Sequence, residues 1–146
     1  MIKRKGLFLV ILSVALAALF TAAQASVENF ELKPISGAEK AAGDVIVTDV
    51  FDSGYNQKEI AVEASGLEPY SMYTVWLARK GPSADIRGVG VEDYAFKTDG
   101  EGKGRFVATI SEFDYQKWDV IEIARHPDNN PKNLDNAEIA LTGDLG

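Results

Sequence analysis

Met72-Tyr-Thr-Val-Trp-Leu-Ala78 has the composition and the alternation of a β-strand. β-Branched and aromatic residues dominate it, and Tyr73, Val75 and Leu77 share one face because successive side chains of a strand point to opposite sides. Similar short segments, separated by turn residues, occur on both sides of it, so the sequence predicts an all-β fold, an antiparallel β-sandwich of seven or eight strands. These segments are 44–51, 59–64, 94–98, 105–110, 118–124 and 137–141, and Phe30 with Leu32 suggests one more.

The residues that lead into this strand carry a motif. Gly66-Leu-Glu-Pro-Tyr-Ser-Met-Tyr73 resembles the Leu-x-Pro-x-x-x-Tyr signature of fibronectin type III and related immunoglobulin-like β-sandwiches, in which the tyrosine forms a tyrosine corner. The resemblance implies that Leu67 plugs the core, that Pro69 stiffens the turn, and that the Tyr73 hydroxyl hydrogen-bonds to the loop backbone. About 70 residues follow Tyr73, more than the two strands that follow the corner in that family. The resemblance therefore implies a fold class and no catalytic residue.

The N-terminal segment has the three parts of a secretory signal peptide. Lys3-Arg-Lys5 precedes an apolar stretch over 6–20, and Ala23-Gln-Ala25 fits a small-x-small cleavage site. We predict cleavage before Ser26, a single β-sandwich domain over 26–146, and an extracytoplasmic location, either periplasmic or secreted. A retained membrane anchor is the alternative, since the apolar stretch approaches the lower limit for spanning a bilayer.

Composition excludes several classes of function. Residues 26–146 carry 12 basic and 22 acidic side chains, a balance that repels phosphate backbones and anionic lipid, so we expect neither a nucleic-acid partner nor membrane binding after cleavage. The chain has no cysteine and one histidine. Lipid attachment to cysteine, a disulfide framework and the usual zinc and copper sites are therefore excluded, and we predict no metal or other cofactor.

The segment Arg125-His126-Pro127-Asp128 ends a predicted strand and opens a polar loop that extends to Asn136. Binding residues often lie on such loops, and a lone histidine there can serve as a base. The alternative is a solvent-facing His126 before a proline turn. The amide and carboxylate oxygens of the loop could bind calcium or a small ligand, although Asn and Asp also dominate ordinary turns.

Both tryptophans are predicted on outer faces of strands. If Tyr73 faces the core, Trp76 faces outward, and Glu122 marks an outward set in the later strand that includes Trp118. Exposed tryptophans would form a recognition or assembly surface. The alternative is that residues 80–91 or the N-terminal segment cover them.

Three functional hypotheses follow. The first is a non-enzymatic binding or surface-assembly module for a protein or glycan partner, which includes an oligomer or filament in which residues 26–33 are donated to a neighbour. The second is a small-ligand or calcium-dependent binding protein centred on residues 125–136. The third is a hydrolase that uses His126 or a pair of carboxylates.

Overall fold

The computed structural model describes residues 25–52, 54–82, 85–90 and 94–146. Residues 1–24, which hold most of the predicted signal peptide, lie outside the described residues. Within the described ranges, no helix has the length and apolar character needed to cross a membrane.

Nine strands and one short helix make up the described part of the fold, which is all-β as predicted. The helix α1 spans Glu112–Tyr115 and is capped by Ser111, whose hydroxyl accepts a hydrogen bond from the Asp114 amide at 3.1 Å. The strands are β1 Val27–Pro34, β2 Ala42–Asp52, β3 Tyr55–Ser65, β4 Met72–Ala78, β5 Ile86–Gly88, β6 Ala95–Lys97, β7 Gly104–Ser111, β8 Val120–His126 and β9 Glu138–Asp144.

The strands form one antiparallel sheet that curls into a half-barrel. Their order is β5-β4-β8-β9-β1-β2-β3-β7, and β6 also pairs with β4. β1 joins the two halves, because its residues 27–32 pair with β2 whereas Lys33 and Pro34 pair with β9. The segment 26–33, considered above as a strand donated to a neighbour, thus completes the sheet of its own chain.

The core lies on the concave face of the sheet. Val45 and Val47 of β2 lie opposite Val62 and Ile60 of β3, and all four are buried. On the other half of the sheet the inward positions of β4 and β8 are buried in the same way, which fits the alternation predicted for both strands. Apolar burial on this face is the main force that holds the curled sheet together.

The hydrogen bond that the resemblance implies for Tyr73 is present. Tyr73 is 1% exposed, and its hydroxyl accepts a hydrogen bond from the backbone amide of Glu68 at 3.0 Å. Leu67 is buried in the core cluster as the resemblance implies. The Leu67 amide donates to the Gly102 carbonyl at 3.1 Å, which ties this turn to the loop between β6 and β7.

Candidate functional site

The candidate site is a pocket of about 560 Å³ at one mouth of the half-barrel, where β3 ends and β2 begins. Mouths of curled sheets are common places for ligand pockets, and this volume lies within the usual range. The wall consists of the loop between β1 and β2, the corner, and the adjoining ends of β8 and β9. Its residues are 35–41, 66–68, Tyr73, Arg125 and 138–140.

Short-range hydrogen bonds shape the loop over 35–41. The amide of Ala38 donates to the carbonyl of Ile35 at 3.0 Å, and the amide of Ala41 donates to that of Ala38 at 2.8 Å. Gly37 has a φ of 95°, which glycine adopts without strain, and its amide donates to the Glu39 carboxylate at 3.0 Å. This last bond lowers the pKa of Glu39. The loop therefore has a defined conformation before any ligand binds.

Arg125 is the cation at the inner end of the pocket. It lies opposite Tyr73 in β4 and Glu138 in β9. Arg125 comes two residues after the buried Ile123, so both side chains are on the same face of β8. The side chain is half-buried, and its Nε atom is buried without a hydrogen-bond partner among the described residues. The half-buried guanidinium lines the pocket and can therefore pair with an anionic acceptor there.

Tyr73 supplies a second donor beside Arg125. Its hydroxyl oxygen accepts from the Glu68 amide, but the hydroxyl proton has no acceptor in the described part of the chain. Burial raises the pKa of Tyr73, so the phenol keeps this proton at neutral pH. Arg125 and Tyr73 both line the pocket, so each is a donor that a ligand there could use.

Acidic side chains surround these donors. Glu39, Glu68 and Glu138 line the pocket, and Lys40 is the only other charged residue of the lining. A ligand with several negative charges would be repelled by the three carboxylates, whereas one negative charge can be held by Arg125. Apolar contacts come from Ile35, Ala38, Leu67, Ile139 and Ala140.

The prediction of a solvent-facing His126 is wrong, because this side chain is 0% exposed. Its Nδ1 lies 3.1 Å from the Asn133 carbonyl, which only accepts, so the hydrogen-bond network assigns the ring proton to Nδ1. Nε2 then accepts from the Thr74 hydroxyl at 2.8 Å, and that hydroxyl accepts from Trp76 Nε1 at 2.7 Å. Both ring nitrogens are used within the fold, so His126 has no nitrogen for acid-base chemistry on a substrate.

The polar loop after His126 uses its oxygens to hold its own shape. The Asp128 carboxylate accepts from the Asn130 amide at 3.0 Å and from the Asn133 side chain at 2.6 Å. The side-chain oxygen of Asn129 accepts from the Met72 amide at 2.9 Å. In the described ranges no three metal-ligating side chains lie together. The carboxylate of Asp128 therefore makes the hydrogen bonds that are typical of an ordinary turn.

The two tryptophans are half-buried rather than open to solvent. Trp76 lies on the outer face as predicted, but its ring packs against Tyr94 with the ring centroids 4.6 Å apart. Trp118 precedes β8, packs against the core, and lies under the Arg79 guanidinium at 5.8 Å. The predicted outward position of Trp118 on a strand is therefore wrong. A binding role for either tryptophan stays a prediction.

Sequence reasoning missed Tyr73 as a functional candidate and placed Arg125 in a loop site with His126. The structure places these neighbours on opposite faces of the sheet, because Arg125 faces the concave side and His126 faces the convex side.

Comparison of the chain with protein-family models, with curated proteins and with solved structures finds no match.

Proposed function

We propose that this chain is an exported, non-enzymatic binding module that holds a small molecule with one carboxylate and an apolar body in the Arg125 pocket. One observation carries the proposal. Arg125 and Tyr73 present donors that have no acceptor among the described residues, on the wall of a pocket of ligand size.

The chemistry of the lining supports a monocarboxylate. The Arg125 fork matches the two oxygens of a carboxylate, and the Tyr73 hydroxyl can add a third hydrogen bond. The three glutamates disfavour a second negative charge on the ligand. The apolar side chains of Ile35, Leu67 and Ile139 provide a surface for its hydrocarbon part.

Binding rather than catalysis is favoured by the state of His126. The only histidine of the chain lies on the far face, with both ring nitrogens engaged. A hydrolase built on it would have to break the hydrogen bonds that hold the outer face together. A calcium-binding role of residues 125–136 has less support, because the Asp128 carboxylate is committed to the loop.

The strand order supports an immunoglobulin-like form of the fold as part of the proposal. β2, β3 and β7 lie side by side, as do β5, β4, β8 and β9. These runs follow the neighbour order of strands A, B, E and C′, C, F, G in immunoglobulin-like domains, although this order places Tyr73 on strand C, whereas the tyrosine corner of that family lies at the start of strand F. β1 is then an added strand that joins the two sheets. The predicted signal peptide and the acidic composition support an extracytoplasmic location.

The proposal is tested by titrating the ¹⁵N-labelled protein with phenylacetate, which has one carboxylate and an apolar body. We expect saturable chemical-shift changes at the amides of 35–41 and 66–68 and at Arg125 Nε. Arg125→Gln should weaken binding at least tenfold, since a charged hydrogen bond is replaced by a neutral one. The matched control is Arg105→Gln, which removes an exposed arginine of β7.

Succinate and tetramethylammonium serve as comparison ligands. Succinate should bind more weakly than phenylacetate because of its second charge, and tetramethylammonium should leave Arg125 Nε unmoved. Linear, non-saturable shifts with phenylacetate, or equal affinity in the Arg125→Gln protein, would overturn the proposal.

A further inference from the structure

The residue that follows the predicted cleavage site is held at the opposite end of β2 from the pocket. The Ser26 backbone nitrogen lies 3.0 Å from Asp49 Oδ2, and its hydroxyl donates to the same oxygen at 2.5 Å. The Asp49 amide in turn donates to the Ser26 carbonyl at 3.1 Å. Ser26 is thus bound to one aspartate by backbone and side chain.

The other oxygen of this carboxylate is paired with a lysine. Lys58 Nζ lies 2.5 Å from Asp49 Oδ1 and 3.6 Å from Glu28 Oε1, and Lys58 is only 7% exposed. The hydrogen bonds from Lys58 and Ser26 lower the pKa of Asp49 to about 2, so its charge is present at neutral pH. Before cleavage this cluster holds two carboxylates and one ammonium group.

We infer that Asp49 is the acceptor for the α-ammonium group that cleavage before Ser26 creates. Cleavage turns the Ser26 backbone nitrogen into a cation without moving it away from Asp49 Oδ2. The cluster of Asp49, Glu28, Lys58 and the new terminus then has two negative and two positive charges. A hydrogen bond in which only the Asp49 carboxylate is charged becomes an ion pair between two charged groups.

The position of Ser26 gives this ion pair a structural consequence. Ser26 directly precedes β1, the strand that joins the two halves of the sheet. Fastening the start of β1 to β2 opposes fraying of the strand, which is common at chain termini. Removal of the leader is thus expected to strengthen the closure of the half-barrel. This inference rests on the predicted cleavage and not on the ligand proposed for the Arg125 pocket.

The test begins with the full chain expressed with its own leader. Mass spectrometry of the exported product should find Ser26 at its N-terminus. Thermal unfolding of this product is then compared with that of the same product acetylated selectively at its α-amino group. We expect acetylation to lower the midpoint by a few degrees in the unmodified sequence and to have no effect in the Asp49→Asn variant.

Asp44→Asn is the matched control, because Asp44 is an exposed aspartate of the same strand. It should retain the full effect of acetylation. NMR titration of the α-amino group provides a second measurement if Asp49→Asn fails to fold. Its pKa should be raised above the ordinary value in the Ser26 product, and unraised in a product made to begin at Ala25. An ordinary pKa in the Ser26 product, a different N-terminus, or an equal effect of acetylation in Asp49→Asn would each overturn the inference.

Discussion

The Thr74 hydroxyl donates to His126 Nε2 at 2.8 Å inside the covered outer face of the sheet, where both side chains are 0% exposed. The same hydroxyl oxygen accepts from Trp76 Nε1. Thr74 therefore links Trp76 of β4 to His126 at the end of β8, and it is the partner of the buried His126 Nε2.

Replacing Thr74 by valine should test this link. Valine has the shape of threonine but cannot hydrogen-bond, so it leaves Nε2 of His126 and Nε1 of Trp76 without a partner. We expect the free energy of unfolding to fall by about 1–3 kcal/mol in urea titrations. Thr74→Ser keeps the hydroxyl and should lose less stability. Equal losses in the two variants would show that packing, and not the hydrogen bonds, sets the stability of this site.

Gly88 and Tyr94 form a second coupled pair on the same face. A Cβ atom at Gly88 would collide with the Tyr94 ring, which covers Trp76. We expect Gly88→Ala to destabilise the fold by about 1–3 kcal/mol, as overpacking does, and to increase acrylamide quenching of tryptophan fluorescence.

The Tyr94→Ala background separates this collision from other effects of the alanine. With the ring removed, Gly88→Ala should cost much less than in the unmodified protein. A cost that is the same in both backgrounds would mean that the Tyr94 ring does not explain the glycine at position 88.

Much of the fold could be predicted because short sequence patterns determine its strands and turns. The predicted strand 72–78 has the observed bounds of β4, and the corner from Leu67 to Tyr73 forms as the resemblance implies. The sequence patterns do not predict β5 and α1, which have three and four residues, whereas they do predict the equally short β6, because β6 lies in a longer β-type run over 94–98.

The site was harder to predict because it depends on which face each residue takes. Alternation from Ile121 and Ile123 places Arg125 inward, and this signal was present in the sequence. Burial of His126 has no such signal, because it is produced by the return of residues 127–136 over the outer face. The pocket wall at 35–41 likewise comes from a loop that only the pairing of β1 with β9 brings to Arg125.

Glu122 provides a pH-dependent test of the covered outer face. It lies on β8 opposite Trp76 and Thr142, and burial raises its pKa. A carboxyl group with a raised pKa in the folded state contributes stability that is present below its unfolded pKa and lost as the pH rises through the folded pKa. Glu122→Gln mimics the neutral form, so we expect it to be more stable than the unmodified protein at pH 7. This gain in stability should disappear as the pH falls below the ordinary pKa of glutamate, because Glu122 is then neutral in both the folded and the unfolded state.

Urea titrations at several pH values measure this difference in stability. The control is Glu59→Gln, which changes an exposed glutamate of β3. A gain that does not change with pH would show that the ionised carboxylate of Glu122 is not what destabilises the folded state.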